Sequence, residues 1–304
     1  LKKWKEFNYK IDLYTEKNLL IKNKILNHLK SSIVKEINNL DDTLFSLSGG
    51  IDSSSLVALT KKMFPEKKIQ TATITYDDKT YNEKDEVRNF LNFFDKKKII
   101  WHNIKISSKN IDQKIIKHCS STDYPYHTVT WFVDAIFKEE IKKRGFKNYV
   151  TGLGGDQLNA GEYDYFHYFF ADLMKKRNYK KLEYEINSWI KNHNHPIFKK
   201  NLNLEIIYIK RQLKNKYNFF EKEKIFKYFE YSLKDISVKF LNSSKSNSYL
   251  VNKTLNEINF EMLPVCLISD FNNSKFNNIK NIYPYLDYDH FNTMLSASNS
   301  LKID

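Results

Sequence analysis

Seven consecutive residues, Ser48-Gly49-Gly50-Ile51-Asp52-Ser53-Ser54, combine bare backbone, hydroxyls and one carboxylate. Gly49 and Gly50 can present N–H groups to phosphate oxygens. Ser48, Ser53 and Ser54 add hydroxyl donors, and a helix starting here would aim its positive end at the same anion. Asp52 among such groups would be repulsive unless a cation intervened, and Mg²⁺ is the fitting one. The Gly-x4-Gly-Lys-Ser/Thr phosphate loop is excluded, because both the Lys and the spacing are missing. A second cluster, Thr151-Gly-Leu-Gly-Gly-Asp-Gln-Leu-Asn-Ala-Gly161, supplies more bare backbone and another carboxylate, Asp156. The chain has only 7 glycines in 304 residues, where about 7% usage would give roughly twenty. Six of them lie in these two clusters, so backbone freedom is concentrated where a ligand could be approached closely.

The elements needed to position these turns are legible in the hydrophobic pattern. Ile21, Ile25, Leu29, Ile33 and Ile37 recur at a four-residue step and predict a helix over 17–38. Thr43–Ser48 reads as a strand running into Gly49. A helix with Leu56, Leu59 and Met63 inward follows and stops near Pro65. Ile69–Tyr76 and Ile99–Ile106 are further strand candidates, and a helix over 83–94 lies between them. A helix near Trp131–Lys143 ends at Gly145, and a strand near Asn148–Thr151 enters the second cluster. Such alternation predicts a parallel α/β sheet with helices on both faces, its ligand at the carboxyl ends of the strands. Beyond Gly161 the pattern turns helical, with Leu182, Ile186, Trp189 and Ile190 on one face. Val251, Leu255, Ile258 and Met262 form another, and 242–248 reads as a loop.

The first cluster resembles the SGGxDS signature of the ATP-pyrophosphatase (PP-loop) superfamily, which cleaves ATP between its α- and β-phosphates. The second resembles GxGxDExxxGY of the asparagine synthetase branch. Tyr76–Glu83 is similar to that branch's FDDxxYDE, Tyr283-Pro-Tyr-Leu-Asp287 to its VPFLD, and Leu1–Lys10 to the lead-in of its synthetase domain. Over its whole length the chain thereby resembles the synthetase domain of the asparagine synthetase-type amidotransferases. The resemblance implies a five-stranded parallel sheet of the adenine nucleotide α-hydrolase-like kind, followed by a mostly helical part. It divides the chain into a lead-in and helix (1–40), an α/β core (41–162) and a helical remainder (163–304). It further implies an acyl-adenylate formed from a carboxylate and ATP, with ammonia or an amine then displacing AMP. Ser48, Gly49, Gly50, Asp52, Ser53 and Ser54 would cradle the pyrophosphate. Asp52 and Asp156 would hold Mg²⁺ as the catalytic pair, and Leu47, Thr75 and Gly152 would border the adenosine. Asp78, Glu83, Leu153, Glu162 and Tyr163 fall where the carboxylate acceptor would bind.

Departures from that pattern concern the acceptor. Leu153 stands where asparagine-forming members have Glu, Gln157 replaces the Glu after the Asp, and Glu162 replaces the final Tyr, with Tyr163 one place later. Asn281-Ile282 stands where an Arg is expected. Free aspartate is thereby put in doubt, and a sugar acid, a peptide side chain or an intramolecular ring closure comes into view. The resemblance also implies a Cys-led glutaminase domain before residue 1 and a Lys-bearing helix after residue 304. The expectation is therefore truncation at both ends, or a stand-alone variant fed ammonia or amine by a partner.

Composition narrows the alternatives. The net charge of +14 suggests an anionic partner, yet the basic residues are Lys spread along the chain, apart from Arg88, Arg144, Arg177 and Arg211. Nucleic-acid readers favour Arg, so nucleic acid is set aside as the leading partner. Two cysteines argue against a disulfide framework and fit a reducing, cytoplasmic compartment. Cys266, in an apolar run, reads as packing. No stretch approaches a membrane span or signal peptide. His193 and His195 lack a third ligand nearby, and the aromatic run 163–170 reads as helical core, with its first residues near an acceptor pocket. Two other readings compete with the ligase. One is a tRNA-modifying PP-loop enzyme, favoured by charge and opposed by the second glycine cluster. The other is a nucleotide-binding relative without turnover.

Overall fold

Strand segments of a parallel sheet are rich in β-branched and apolar residues, most of all where helices cover both faces. In the computed structural model the strands are β1 (Thr43–Ser46), β2 (Ile69–Tyr76), β3 (Ile99–Ile106), β4 (Asn148–Val150) and β5 (Lys280–Ile282). The structure describes residues 18–78, 80, 82–95, 97–109, 111–120, 126, 128–192, 246–259 and 261–303. His193, His195 and most of the 242–248 loop lie outside them.

All five strands are parallel, in the order β3-β2-β1-β4-β5. Phe45 pairs with Thr71 on one side and Val150 on the other, and Val150 pairs with Ile282. The expected five-stranded parallel α/β sheet is therefore present. The helices α1 (Asn18–Glu36), α2 (Ile51–Met63), α3 (Lys84–Leu91), α4 (Ile111–Ser120) and α5 (Val129–Lys143) precede β4. Crossovers between parallel strands are right-handed, and the chain steps one way from β1 to β3 and the other way from β3 to β4. That reversal sends α2 and α3 to one face and α5 to the opposite one. On the α5 face, Leu44, Ala72, Ile104 and Ile106 pack with Phe132, Ile136, Phe137 and Ile141.

After β4 come α6 (Gly155–Asn159), α7 (Tyr165–Lys175), α8 (Tyr179–Asn192), α9 (Tyr249–Asn259), α10 (Met262–Phe276) and α11 (Tyr288–Ser296). The predicted continuous face from Val251 to Met262 is divided. Asn259 ends α9, and Met262, half exposed at 50%, begins α10. Pro264 accounts for the break, since proline is tolerated in a first turn and not in a helix interior.

The chain divides into two compact units. One holds residues 16–158 and 258–294 and contains the sheet. Within it α10 packs on α5, and buried Lys138 bridges them, with Nζ 3.0 Å from Asp270 and 3.9 Å from Asp134. The other unit includes 159–257 and 295–304. Its core is the aromatic run expected to be helical: Tyr165, Phe169 and Phe170 bury against Leu182, Ile186 and Trp189. Buried Asp172 caps α9, accepting from Ser248 Oγ (2.5 Å), Tyr249 N–H (2.7 Å) and Asn299 Nδ2 (2.7 Å).

Candidate active site

β1 and β4 are neighbours at the place where strand order reverses, the crevice in which open α/β sheets bind ligands. Each is followed by one of the glycine clusters. Gly50 caps α2 with extended backbone and no side-chain cap bond, leaving first-turn amides for another acceptor. The serine hydroxyls brace this turn from within. Ser48 Oγ and Ser53 Oγ are 2.9 Å apart, Ser48 N–H donates to Ser53 Oγ (3.0 Å), and Gly50 N–H donates to Ser48 Oγ (3.2 Å). Ser54 Oγ lies 3.4 Å from Ser48 O.

The second cluster closes against the first. A Cβ on Gly152 would lie 3.1 Å from both Asp52 Cβ and Ser53 N, and one on Gly155 would overlap the Asp52 carboxylate. Gly154 has φ +93°, and a Cβ there would overlap Leu286. Both positions therefore admit only glycine without displacement. Gly155→Ala is expected to cost about 1–3 kcal/mol, the usual range for an overpacked methyl. The loss should shrink in an Asp52→Ala background, where the overlapping group is gone; denaturant midpoints of the four variants in that cycle measure this.

Asp52 and Asp156 are brought together. Burial, then the charge of and hydrogen bonding with Asp156, push the Asp52 carboxyl up from 3.8 to about 7. A carboxylate pair this short of positive charge fits a cation. Among the described residues no group of three or more His, Cys, Asp or Glu could hold a metal alone. Mg²⁺, however, is commonly held by one or two carboxylates together with phosphate oxygens, and the pair meets that requirement.

The remaining expected residues sort by location. Leu47 is buried at the end of β1; its carbonyl accepts from Thr73 Oγ1 (2.5 Å). Thr75, buried on β2, donates to Asn103 Oδ1 (2.8 Å). Glu83 is the N-cap residue before α3, its Cβ 3.7 Å from where a Gly49 Cβ would be. Asp78 is exposed and turned toward its neighbour Thr80, whose hydrogen bonds hold its carboxyl low. Leu153 is half-buried, its N–H donating to Thr151 Oγ1 (3.2 Å). Glu162 and Tyr163 belong to the other unit.

Sequence patterning overlooked Glu86, whose Cβ would sit 2.5 Å from a Gly49 Cβ. It also overlooked the role of Tyr285, whose hydroxyl lies 2.6 Å from Ser55 Oγ and 3.1 Å from Asp52 O. The helical period of α3 carries a signal for Glu86, which lies one turn beyond Glu83. For Tyr285 no local signal exists, since its partners lie 230 and 233 positions away.

Fold and turns define the class: an open parallel α/β protein with two glycine-led turns meeting at the switch point of its sheet. The asparagine synthase family model matches residues 28–304, and the chain belongs to that family. Membership supports an ATP-dependent ligase activity. A comparison with curated proteins returns no match. Among the described residues no helix is long and apolar enough to cross a membrane.

Proposed function

We propose that the chain adenylates a carboxylate other than free aspartate and transfers ammonia or an amine to it. A carboxylate oxygen attacks the α-phosphorus of ATP, the bond to the bridging β-phosphate oxygen breaks, and pyrophosphate leaves. The amine nitrogen then attacks the acyl carbon, AMP departs with the bonding pair, and the surplus proton passes to solvent. The observation that carries this reading is the closure of Gly152–Asp156 onto Asp52 at the N-terminus of α2. Two carboxylates beside unsatisfied helix amides suit a Mg-pyrophosphate leaving group, not a lone anion.

In this reading Ser48–Ser54 cradle the pyrophosphate, and Asp52 and Asp156 hold Mg²⁺, which when bound would neutralise charge on the departing phosphates. Leu47, Thr75 and Gly152 border the adenosine. Catalysis is then mainly orientation and charge stabilisation. Leu153, Gln157 and the pair Asn281-Ile282 stand where the aspartate-using pattern has charged side chains. An acceptor with a free ammonium would leave that charge unpaired, so the favoured class is a carboxylate without an adjacent amine, such as a sugar acid or the side-chain carboxylate of a peptide. Asp78, Glu83, Glu162 and Tyr163 are the other acceptor-side candidates.

The test is Mg-ATP/pyrophosphate exchange with aspartate, uronic acids and blocked acidic peptides. Exchange with an amine-free carboxylate and little with aspartate is expected. Failure of every carboxylate, with Asp52→Asn leaving ATP binding unchanged, overturns the proposal; retention on tRNA at 0.2 M salt would instead favour adenylation of RNA.

A further inference from the structure

The 3₁₀ turn Pro284–Leu286 makes one contact with each glycine-led strand end. Tyr285, 4% exposed, donates its hydroxyl to Asp52 O at 3.1 Å and meets Ser55 Oγ at 2.6 Å. The next residue, Leu286, occupies the space beside Gly154. The turn is held from both sides. Before it, Tyr283 OH donates to Asp270 (2.8 Å), the ion-pair partner of Lys138, and Asn281 bonds both Tyr283 OH (2.9 Å) and Lys138 Nζ (3.0 Å). After it, Asp287 accepts from Asp289 N–H (3.1 Å) at the start of α11 and pairs with Lys35 on α1.

We propose that Tyr285 is a positioning residue for the nucleotide site. It does not reach the reacting atoms; it acts through the first turn of α2. The peptide plane joining Asp52 and Ser53 is rigid, so a hydrogen bond on the Asp52 carbonyl also fixes the opposed Ser53 N–H, directed toward the helix N-terminus. The same bond holds the Asp52 backbone, and with it the carboxylate that faces Asp156. Ser55 Oγ, 3.0 Å from Asp52 O and 2.6 Å from the Tyr285 hydroxyl, gives its single proton to the tyrosine oxygen while Tyr285 gives its own to Asp52 O, and this three-way contact prevents the turn from unwinding. The VPFLD pattern has Phe where this chain has Tyr285, so the hydroxyl clamp comes from this chain's own residues.

This inference rests on the ligase reading, and its test separates the two. ATP binding is measured by calorimetry with Mg²⁺ and with EDTA for the wild type, Tyr285→Phe, Ser55→Ala and the double variant. Tyr285→Phe is expected to weaken Mg-ATP binding about tenfold, the scale of one buried hydrogen bond, and to weaken metal-free ATP binding less. Ser55→Ala should weaken it about threefold, and the double variant should match Tyr285→Phe, since both residues serve one contact. A lowered melting temperature with unchanged Mg-ATP affinity would mean a purely structural tyrosine and overturn the inference, as would additive effects. If Tyr285→Phe does not fold, an unaltered Mg-ATP affinity in Ser55→Ala overturns it as well. A wild type that binds no Mg-ATP overturns the ligase reading and this inference with it.

Discussion

Lys138→Ala is expected to destabilise the sheet-bearing unit by about 3–5 kcal/mol, the cost of removing one partner from a buried ion pair. Lys138 Nζ is fully buried, sits 3.8 Å from the centroid of the Tyr149 ring, and is shared by Asp270 and Asp134. Its removal strands two carboxylates between α5 and α10. Asp270 retains the Tyr283 hydroxyl and Asp134 retains Asn273 (2.8 Å), but neither contact supplies positive charge. Burial already raises the Asp134 carboxyl, with Lys138 opposing that rise and Asp270 adding to it. Two checks distinguish stranded charge from lost packing. Lys138→Met keeps most of the volume and should lose nearly as much. In both variants the deficit, read from the denaturant midpoint, should shrink as pH falls and the stranded Asp134 carboxylate protonates.

Asp52→Asn is expected to act in opposite directions on folding and on ligand binding. The folded Asp52 carboxyl sits at about 7, above its ordinary 3.8. The folded state therefore holds this proton more tightly than the unfolded chain does. The resulting stability is full below about pH 3.8 and is lost as pH rises toward 7. Without metal, the wild type should thus lose stability across that window, and Asp52→Asn should flatten the loss and melt higher at neutral pH. Mg-ATP binding should behave oppositely. Outer-shell partners of a bound metal are worth about 10–100-fold in affinity, so replacing a direct ligand should cost roughly a hundredfold or more. Melting curves in EDTA across pH, paired with calorimetric Mg-ATP titrations, measure both. A variant that melts no higher and binds Mg-ATP equally well would remove Asp52 from the metal site.

Much of this was legible before any coordinates. The strands β1 to β4 stood out because the strands of a parallel sheet read as short apolar, β-branched runs bounded by turns. Both glycine clusters were found because glycine is scarce here and their carboxylates follow at fixed spacing. A fifth strand was implied by the resemblance without a place in the chain, and α4 was not anticipated. Lys280–Ile282 is three residues long, too short for a period, and its strand character comes from pairing with β4. Nor did spacing reveal that the Ser48, Ser53 and Ser54 hydroxyls brace their own turn, since hydroxyl direction depends on the local backbone path.

By itself, then, the sequence determined the chemistry available: two turns of bare backbone, each with an aspartate, at the ends of apolar strands. Local composition suffices for that, because glycine, serine and aspartate are selected by short-range backbone geometry and charge. Only the tertiary structure decided that the turns meet. Their apposition depends on β1 and β4 lying side by side where the crossover direction reverses, and β5 and the Tyr285 turn come from residues more than a hundred positions further on. Strand order is a long-range property. It is settled by which buried faces pack together, and here it places Asp156 beside Asp52 and a tyrosine hydroxyl against the Asp52 carbonyl.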